Sequence, residues 1–195
     1  MDIKKIFSNK LYYLIWILNK KPVPPPQEAK SKIIKNYQKI SNYTIFIETG
    51  TYLGEMIENQ LNNFEKIYSI ELSKNLYKLA KNKFKDNTKI VLLQGDSGTK
   101  LKKILQKLTV PAIFWLDAHY SEGITAKGKT NSPIVSELKI LLKNKFDNII
   151  LIDDINYFGT KGYPTIKKIE SMVNKRRYKI KLEDNIIQIT PIKLY

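Results

Sequence analysis

Beyond residue 40 the chain switches repeatedly between two hydrophobic rhythms. Short runs of β-branched, aliphatic and aromatic residues, apolar at successive positions, predict buried strands over 43–48, 66–71, 89–93, 112–117 and 148–153. The stretches between them repeat every three to four residues and predict helices. Ile33, Ile34 and Tyr37 share a face over 27–40, and Met56, Ile57, Leu61 and Phe64 do so over 51–64. Ser73 is placed to cap a helix carrying Leu76, Leu79, Ala80 and Phe84, and Leu101, Ile104, Leu105 and Leu108 stripe the next. Ser132-Pro133, a cap with proline at the first helical position, opens a helix to about residue 145, and another covers 165–175. The chain closes in a predicted hairpin, 178–183 and 186–190, turning at Asp184-Asn185.

Strands alternating with helices of this length predict a doubly wound α/β fold, a mostly parallel sheet covered on both faces. A run such as Ile149-Ile150-Leu151-Ile152 is too apolar for a sheet with one wet face. The terminal hairpin adds an antiparallel strand at one edge.

Ahead of this domain lies Leu11-Tyr-Tyr-Leu-Ile-Trp-Ile-Leu18, then the stiff spacer Pro22-Val-Pro-Pro-Pro26. The division expected is a helix and spacer over 1–26 and a single domain over 27–195. The basic start resembles a signal peptide, but Asn19-Lys20-Lys21-Pro22 stands where a small-residue cleavage site belongs. The apolar run is also well short of the roughly 20 residues of a membrane span. Two readings follow. The helix packs on the domain or on a second subunit, making a homo-oligomer. Alternatively it lies in a membrane interface, with Trp16 and the tyrosines among headgroups and the lysines against anionic lipid.

Composition narrows the chemistry. The 195 residues suit one domain, and the absence of cysteine excludes disulfides, thiolate metal sites and cysteine nucleophiles. It agrees with a reducing, cytoplasmic setting, at most peripheral to a membrane. The net charge of +16 invites polyanions, yet only Arg176 and Arg177 are arginine, leaving 34 − 2 = 32 lysines. Lysine attracts phosphate without the bidentate reading that arginine supplies, so non-specific attraction is the expectation.

In so basic a chain the 18 carboxylates are informative. Glu48, Glu71, Asp96, Asp117, Asp153 and Asp154 each fall at or just past the C-terminal end of a predicted strand. Open α/β sheets bind ligands in the crevice outside those ends, and a row of acids there needs hydroxyls, amines or cations to satisfy it. The first strand-to-helix turn, Glu48-Thr-Gly-Thr-Tyr-Leu-Gly54, is neither a Walker loop nor a Gly-x-Gly-x-x-Gly fingerprint. Its glycines, Gly50 and Gly54, let the backbone turn tightly against a ligand. Glu71 follows Gly50 by 21 residues, where an acid can bind both hydroxyls of a ribose.

The ordered set Glu48-Thr-Gly-Thr-Tyr-Leu-Gly54, Ser69-Ile-Glu71, Gln94-Gly-Asp96-Ser97 and Leu116-Asp117 resembles the motifs of class I S-adenosylmethionine-dependent methyltransferases. The resemblance runs from about Phe46 to the C-terminus and implies a Rossmann-like methyltransferase fold. It implies that Glu48, Gly50 and Gly54 surround the methionine part of S-adenosylmethionine, that Glu71 takes the ribose, and that Asp96 and Ser97 border the adenine. A narrower resemblance, to macrocin-type and polysaccharide-associated sugar O-methyltransferases, implies Mg²⁺ at Asp117, Asp153 and Asp154. His119 stands where that pattern often has a second aspartate. It is the sole histidine, and an imidazole there could take a proton from an acceptor hydroxyl, with Asp117 orienting it. Residues 120–130, containing Gly123 and Gly128, are expected to form a substrate lid or an ordinary mobile loop.

The expected function is therefore O-methylation of a sugar, polyol or similar small-molecule acceptor. An RNA or DNA methyltransferase is the alternative that the charge supports. Against it, Asp117-Ala-His-Tyr replaces the Asn/Asp-Pro-Pro-Tyr/Phe pattern of amino-group enzymes, and no cysteine serves cytosine C5 chemistry. A third reading keeps the fold and the cofactor without catalysis.

Overall fold

The structure, a computed structural model, describes residues 3–117, 132–160 and 162–194, with side chains from residue 11 onward. The first helix, α1 (Ile3–Leu18), precedes α2 (Gln27–Ser41), and alternation then follows: β1 (Ile45–Thr49), α3 (Glu55–Gln60), β2 (Lys66–Glu71), α4 (Lys74–Lys83), β3 (Ile90–Gln94) and α5 (Ser97–Lys107). The second half holds β4 (Ile113–Leu116), α6 (Ile134–Leu142), β5 (Ile149–Ile152), α7 (Ile166–Met172) and the hairpin β6 (Tyr178–Glu183) and β7 (Ile186–Pro191). Two short 3₁₀ turns, Ile155–Tyr157 and Ile192–Leu194, have no counterpart in the sequence pattern.

Among the described residues seven strands form one sheet in the order β3-β2-β1-β4-β5-β7-β6. β7 alone runs against the rest, pairing antiparallel with both β5 and β6. The alternating side chains of the central strands feed two cores. Ile47, Phe114, Leu116, Ile150 and Ile152 meet Leu101, Leu138 and Leu141 on one face. Phe46, Ile113, Trp115, Ile149 and Leu151 meet Ile34, Ile57 and Phe64 on the other. Burial on both faces is what made these strands apolar throughout.

The departures from the sequence pattern are local and have causes. The helix expected over 51–64 shrinks to α3, because Gly50, Tyr52 and Gly54 take φ of 90°, 47° and 76° and form a loop. Its C-terminal half becomes a turn, although Phe64 still packs in the core. Pro133 sits at the cap of α6, one position before the helix, which stops at Leu142 rather than near 145. α7 ends at Met172, short of residue 175. Ser73 caps α4 as expected, accepting from the Leu76 N–H. The hairpin turns through Asp184 and Asn185 at φ of 50° and 62°. One of the two arginines is structural, since Arg177 donates to Asp147 Oδ1 at 2.7 Å and to the Asn144 carbonyl at 3.0 Å.

Candidate active site

The strand order reverses between β1 and β4, and open α/β sheets carry their ligand crevice at that switch point. Backbone pairing continues past the strand ends there. Gly50 N donates to Ile70 O, Asp117 N to Thr49 O, and Asp153 N to Leu116 O, at 2.9, 3.0 and 3.1 Å. The ladder therefore brings Glu48, Gly50, Glu71, Asp117 and Asp153 to one end of four adjacent strands.

Glu71 holds the glycine loop. Its Oε2 accepts from Tyr52 N at 2.9 Å and its Oε1 from Ser73 N at 2.8 Å. Tyr52 needs that support, because a bulky residue at positive φ is costly without it. Each Glu71 oxygen keeps a second lone pair, so the carboxylate remains able to receive hydroxyls. Gly54, at the cap of α3, lies so close to the Phe84 ring that a Cβ would come within 2.6 Å of it. Any larger residue would push the loop away from α4.

Glu48 is buried, and its Oε1 accepts from Ser69 Oγ at 2.6 Å, with the Thr51 hydroxyl bonded to Ser69 in turn. Burial pushes its carboxyl up to about 8; Ser69 works against the rise, and Asp117 and Glu71 add to it. At neutral pH Glu48 is therefore mostly a neutral acid.

Asp96 is the N-cap of α5. Its Oδ1 accepts from Thr99 N at 2.8 Å and from Thr99 Oγ1 at 2.9 Å, while Ser97 begins the helix, buried. The pair stands beyond β3, the third strand end in the row, and Gly95 N donates to Glu71 O at 2.8 Å.

The three aspartates converge. Carboxylate oxygens of Asp117, Asp153 and Asp154 all lie within 4.8 Å of one another. Asp153 Oδ1 accepts from Asp154 N at 2.8 Å, and Asp154, at φ 61°, receives the Asn185 amide at 3.4 Å. His119 and the expected lid over 120–130 lie outside the described residues.

Two participants were missed by the sequence reading. Lys30, from the first turn of α2, donates its ammonium to Asp153 Oδ2 and stands 4.0 Å from Asp154 Oδ1. Burial alone would lower its pKa, but Asp153, Asp117 and Asp154 outweigh burial and the net shift is upward. Asp153 is driven up by burial and by Asp117, against the pull of Lys30. No sequence signal ties Lys30 to this cluster, because the partners are 123 positions apart. The second is Glu137 of α6, fully buried, with neither oxygen in a hydrogen bond of good geometry among the described residues. Burial drives it up to about 7, and the nearby Ser97 and Thr49 hydroxyls offset this in part. Its signal was legible: one acid inside the apolar stripe Ile134, Leu138, Leu141.

The strand order and the antiparallel β7 are those of the Rossmann-like methyltransferase fold. The chain is similar to the SAH-bound Podospora anserina methyltransferase PaMTH1, with a TM-score of 0.61 and 14% identity over 90% of this chain and 85% of that one. It is similar also to an SAH-bound O-methyltransferase from Bacillus cereus, with a TM-score of 0.58 and 15% identity over 94% and 90%. In sequence it is 27% identical over 154 residues to Ribosomal RNA small subunit methyltransferase A of Prochlorococcus marinus (strain MIT 9301). That match takes in 78% of this chain, which spans about half the length of the relative, 51%. No protein-family model matches the chain.

Proposed function

We propose that this chain is an S-adenosylmethionine-dependent methyltransferase that methylates a hydroxyl of a sugar, polyol or similar acceptor. The observation that carries the reading is the division of the strand-end acids into two groups. Glu71 and the loop it holds, with Glu48, Gly50, Gly54, Asp96 and Ser97, form the cofactor side. Asp117, Asp153 and Asp154, with Lys30 among them, form the acceptor side. The donor set suits the cofactor: Glu71 has lone pairs for ribose hydroxyls, and Glu48 can meet an ammonium by giving up its proton. Bound there, the sulfonium would supply an electrophilic methyl group. The protein's own part is alignment and proton removal. His119 takes the acceptor hydroxyl proton, and Asp117 orients and stabilises the imidazolium.

Mg²⁺ at Asp117, Asp153 and Asp154 is a second form of the same site, favoured by three hard oxygen donors within 4.8 Å. The Lys30 ammonium already sits on this cluster, so a divalent cation must displace it. A nucleic-acid acceptor is the other reading, favoured by the likeness to the ribosomal RNA enzyme and by the charge of +16. Labelled methyl transfer from S-adenosylmethionine separates them, offered in parallel to a saccharide and polyol panel and to small-subunit ribosomal RNA. Label on saccharide supports the hydroxyl reading. Label on RNA alone overturns it, and cofactor binding with transfer to neither marks a non-catalytic protein.

A further inference from the structure

α1 has two unlike faces. Trp16 is buried and donates from Nε1 to the Pro22 carbonyl at 2.7 Å, and the Tyr13 ring lies 3.5 Å beneath the Lys32 ammonium. Lys21, just past the helix, stands over the Trp16 ring and bonds Asp184 of the hairpin at 2.9 Å. These contacts seat one face on the domain. The rest of the described helix surface is apolar and bare: Leu11, Tyr12, Leu14, Ile15, Ile17 and Leu18 are each at least 40% exposed, and Leu18 reaches 81%. At about 100° per residue they form one arc, from Ile17 through Leu14, Leu18, Leu11 and Ile15 to Tyr12. The arc covers more than half the helix.

Soluble proteins seldom leave so continuous an apolar strip to water. Its surroundings indicate the partner. Lys4, Lys5 and Lys10 lie along the same helix, and Lys20 and Lys21 follow it, both exposed. Behind it, a cavity of about 420 Å³ between α1 and α2 is lined by four lysines, Lys21, Lys32, Lys35 and Lys39, against two acids, Glu183 and Asp184. Two copies meeting through this strip would cover its apolar side chains but bring no anions to the lysines around it. RNA would satisfy the lysines but offers no apolar slab for six aliphatic and aromatic side chains. An anionic bilayer satisfies both. Among the described residues no helix is long and apolar enough to cross a membrane, so α1 would lie along the surface.

We propose that α1 docks this protein onto an anionic lipid bilayer, with Leu11, Leu14, Ile15 and Leu18 entering the headgroup–acyl boundary and the flanking lysines meeting the headgroups. Trp16, which the interfacial reading of the sequence puts among the headgroups, is buried and anchors the helix to the domain, as the packed-helix reading has it. The inference is independent of methyl transfer.

Flotation of the full chain with vesicles tests it. Binding to phosphatidylcholine–phosphatidylglycerol vesicles is expected to be at least about tenfold tighter than to phosphatidylcholine alone, and to weaken with salt. Leu14→Glu combined with Leu18→Glu is expected to lower that binding by about tenfold or more. The melting temperature should hold, because both side chains point away from the domain. Failure to float with anionic vesicles, equal binding to neutral ones, or undiminished binding by the double variant overturns the proposal. So does a wild-type dimer that the double variant dissolves, which would make a second copy the occupant.

Discussion

Lys30, half-buried, and Asp153, buried, meet as an ion pair although one precedes the first strand and the other follows the fifth. Their contact gives the three-aspartate cluster a cation that is part of the chain. It also ties α2 to the C-terminal end of β5, the end where the proposed acceptor would enter.

Removing that cation should be costly. Lys30→Ala leaves Asp153 buried beside Asp117 and Asp154, and breaking such a pair from one side typically loses about 3–5 kcal/mol. Thermal or urea unfolding measures this. Lys30 also competes with a metal, so millimolar Mg²⁺ is expected to leave the wild-type melting temperature unchanged and to raise that of Lys30→Ala. A wild-type shift with Mg²⁺ would show that the ammonium yields to the metal.

Glu71 carries two backbone N–H groups and, in the proposed function, the ribose. Glu71→Ala should weaken S-adenosylhomocysteine binding by about 1.5–3 kcal/mol for each charge-assisted bond lost. Calorimetry reads it directly. Glu71→Gln retains one accepting oxygen and should fall between, with the loop around Tyr52 exchanging its amide hydrogens faster than in the wild type.

The pH dependence follows from Glu48. Its folded carboxyl is raised from 4.5 to about 8, so below 4.5 both folded and unfolded forms are protonated and the group imposes no penalty. As pH rises from 4.5 to about 8 the unfolded chain ionises first, and stability falls by at most about 1.4 kcal/mol per pH unit from this group. Above that window the contribution is flat. Glu48→Gln keeps an acceptor for Ser69 and removes the slope, so melting curves across the window should be flatter and the variant more stable than wild type near pH 8.

His119→Ala should reduce methyl transfer about 10²–10⁴-fold at saturating cofactor, the usual loss for a general base. Asp117→Asn should reduce it too and shift the pH profile. EDTA should leave the wild-type rate intact. Full activity in His119→Ala with EDTA present would remove the histidine from the mechanism.

The sequence disclosed what local pattern determines. β2 falls at its expected ends, and the other central strands lie within one or two residues of theirs, because a strand buried on both faces has no polar residue to blur it. Helix lengths were overestimated where apolar spacing continues through a turn: Phe64 packs in the core from beyond α3 as though still helical. The row of acids was legible because each follows a strand. Their partners were not, since Lys30 on Asp153 and Tyr52 on Glu71 arise from tertiary placement. Glu137 could have been found as the acid in an apolar stripe, whereas nothing in the alternation marks Lys30.

The position of β7 bears on how the protein is made. β7 fits between β5 and β6, and its hairpin turn supplies Asn185 to Asp154 and Asp184 to Lys21. Until that last strand emerges from the ribosome, the outer edge of β5 is open and Asp154 lacks one of its holds. The three-aspartate end is therefore complete only once the C-terminal hairpin has docked. A nascent chain halted before residue 186 would already contain the strand ends of β1 to β5 with their acids, yet leave the outer edge of β5 unpaired.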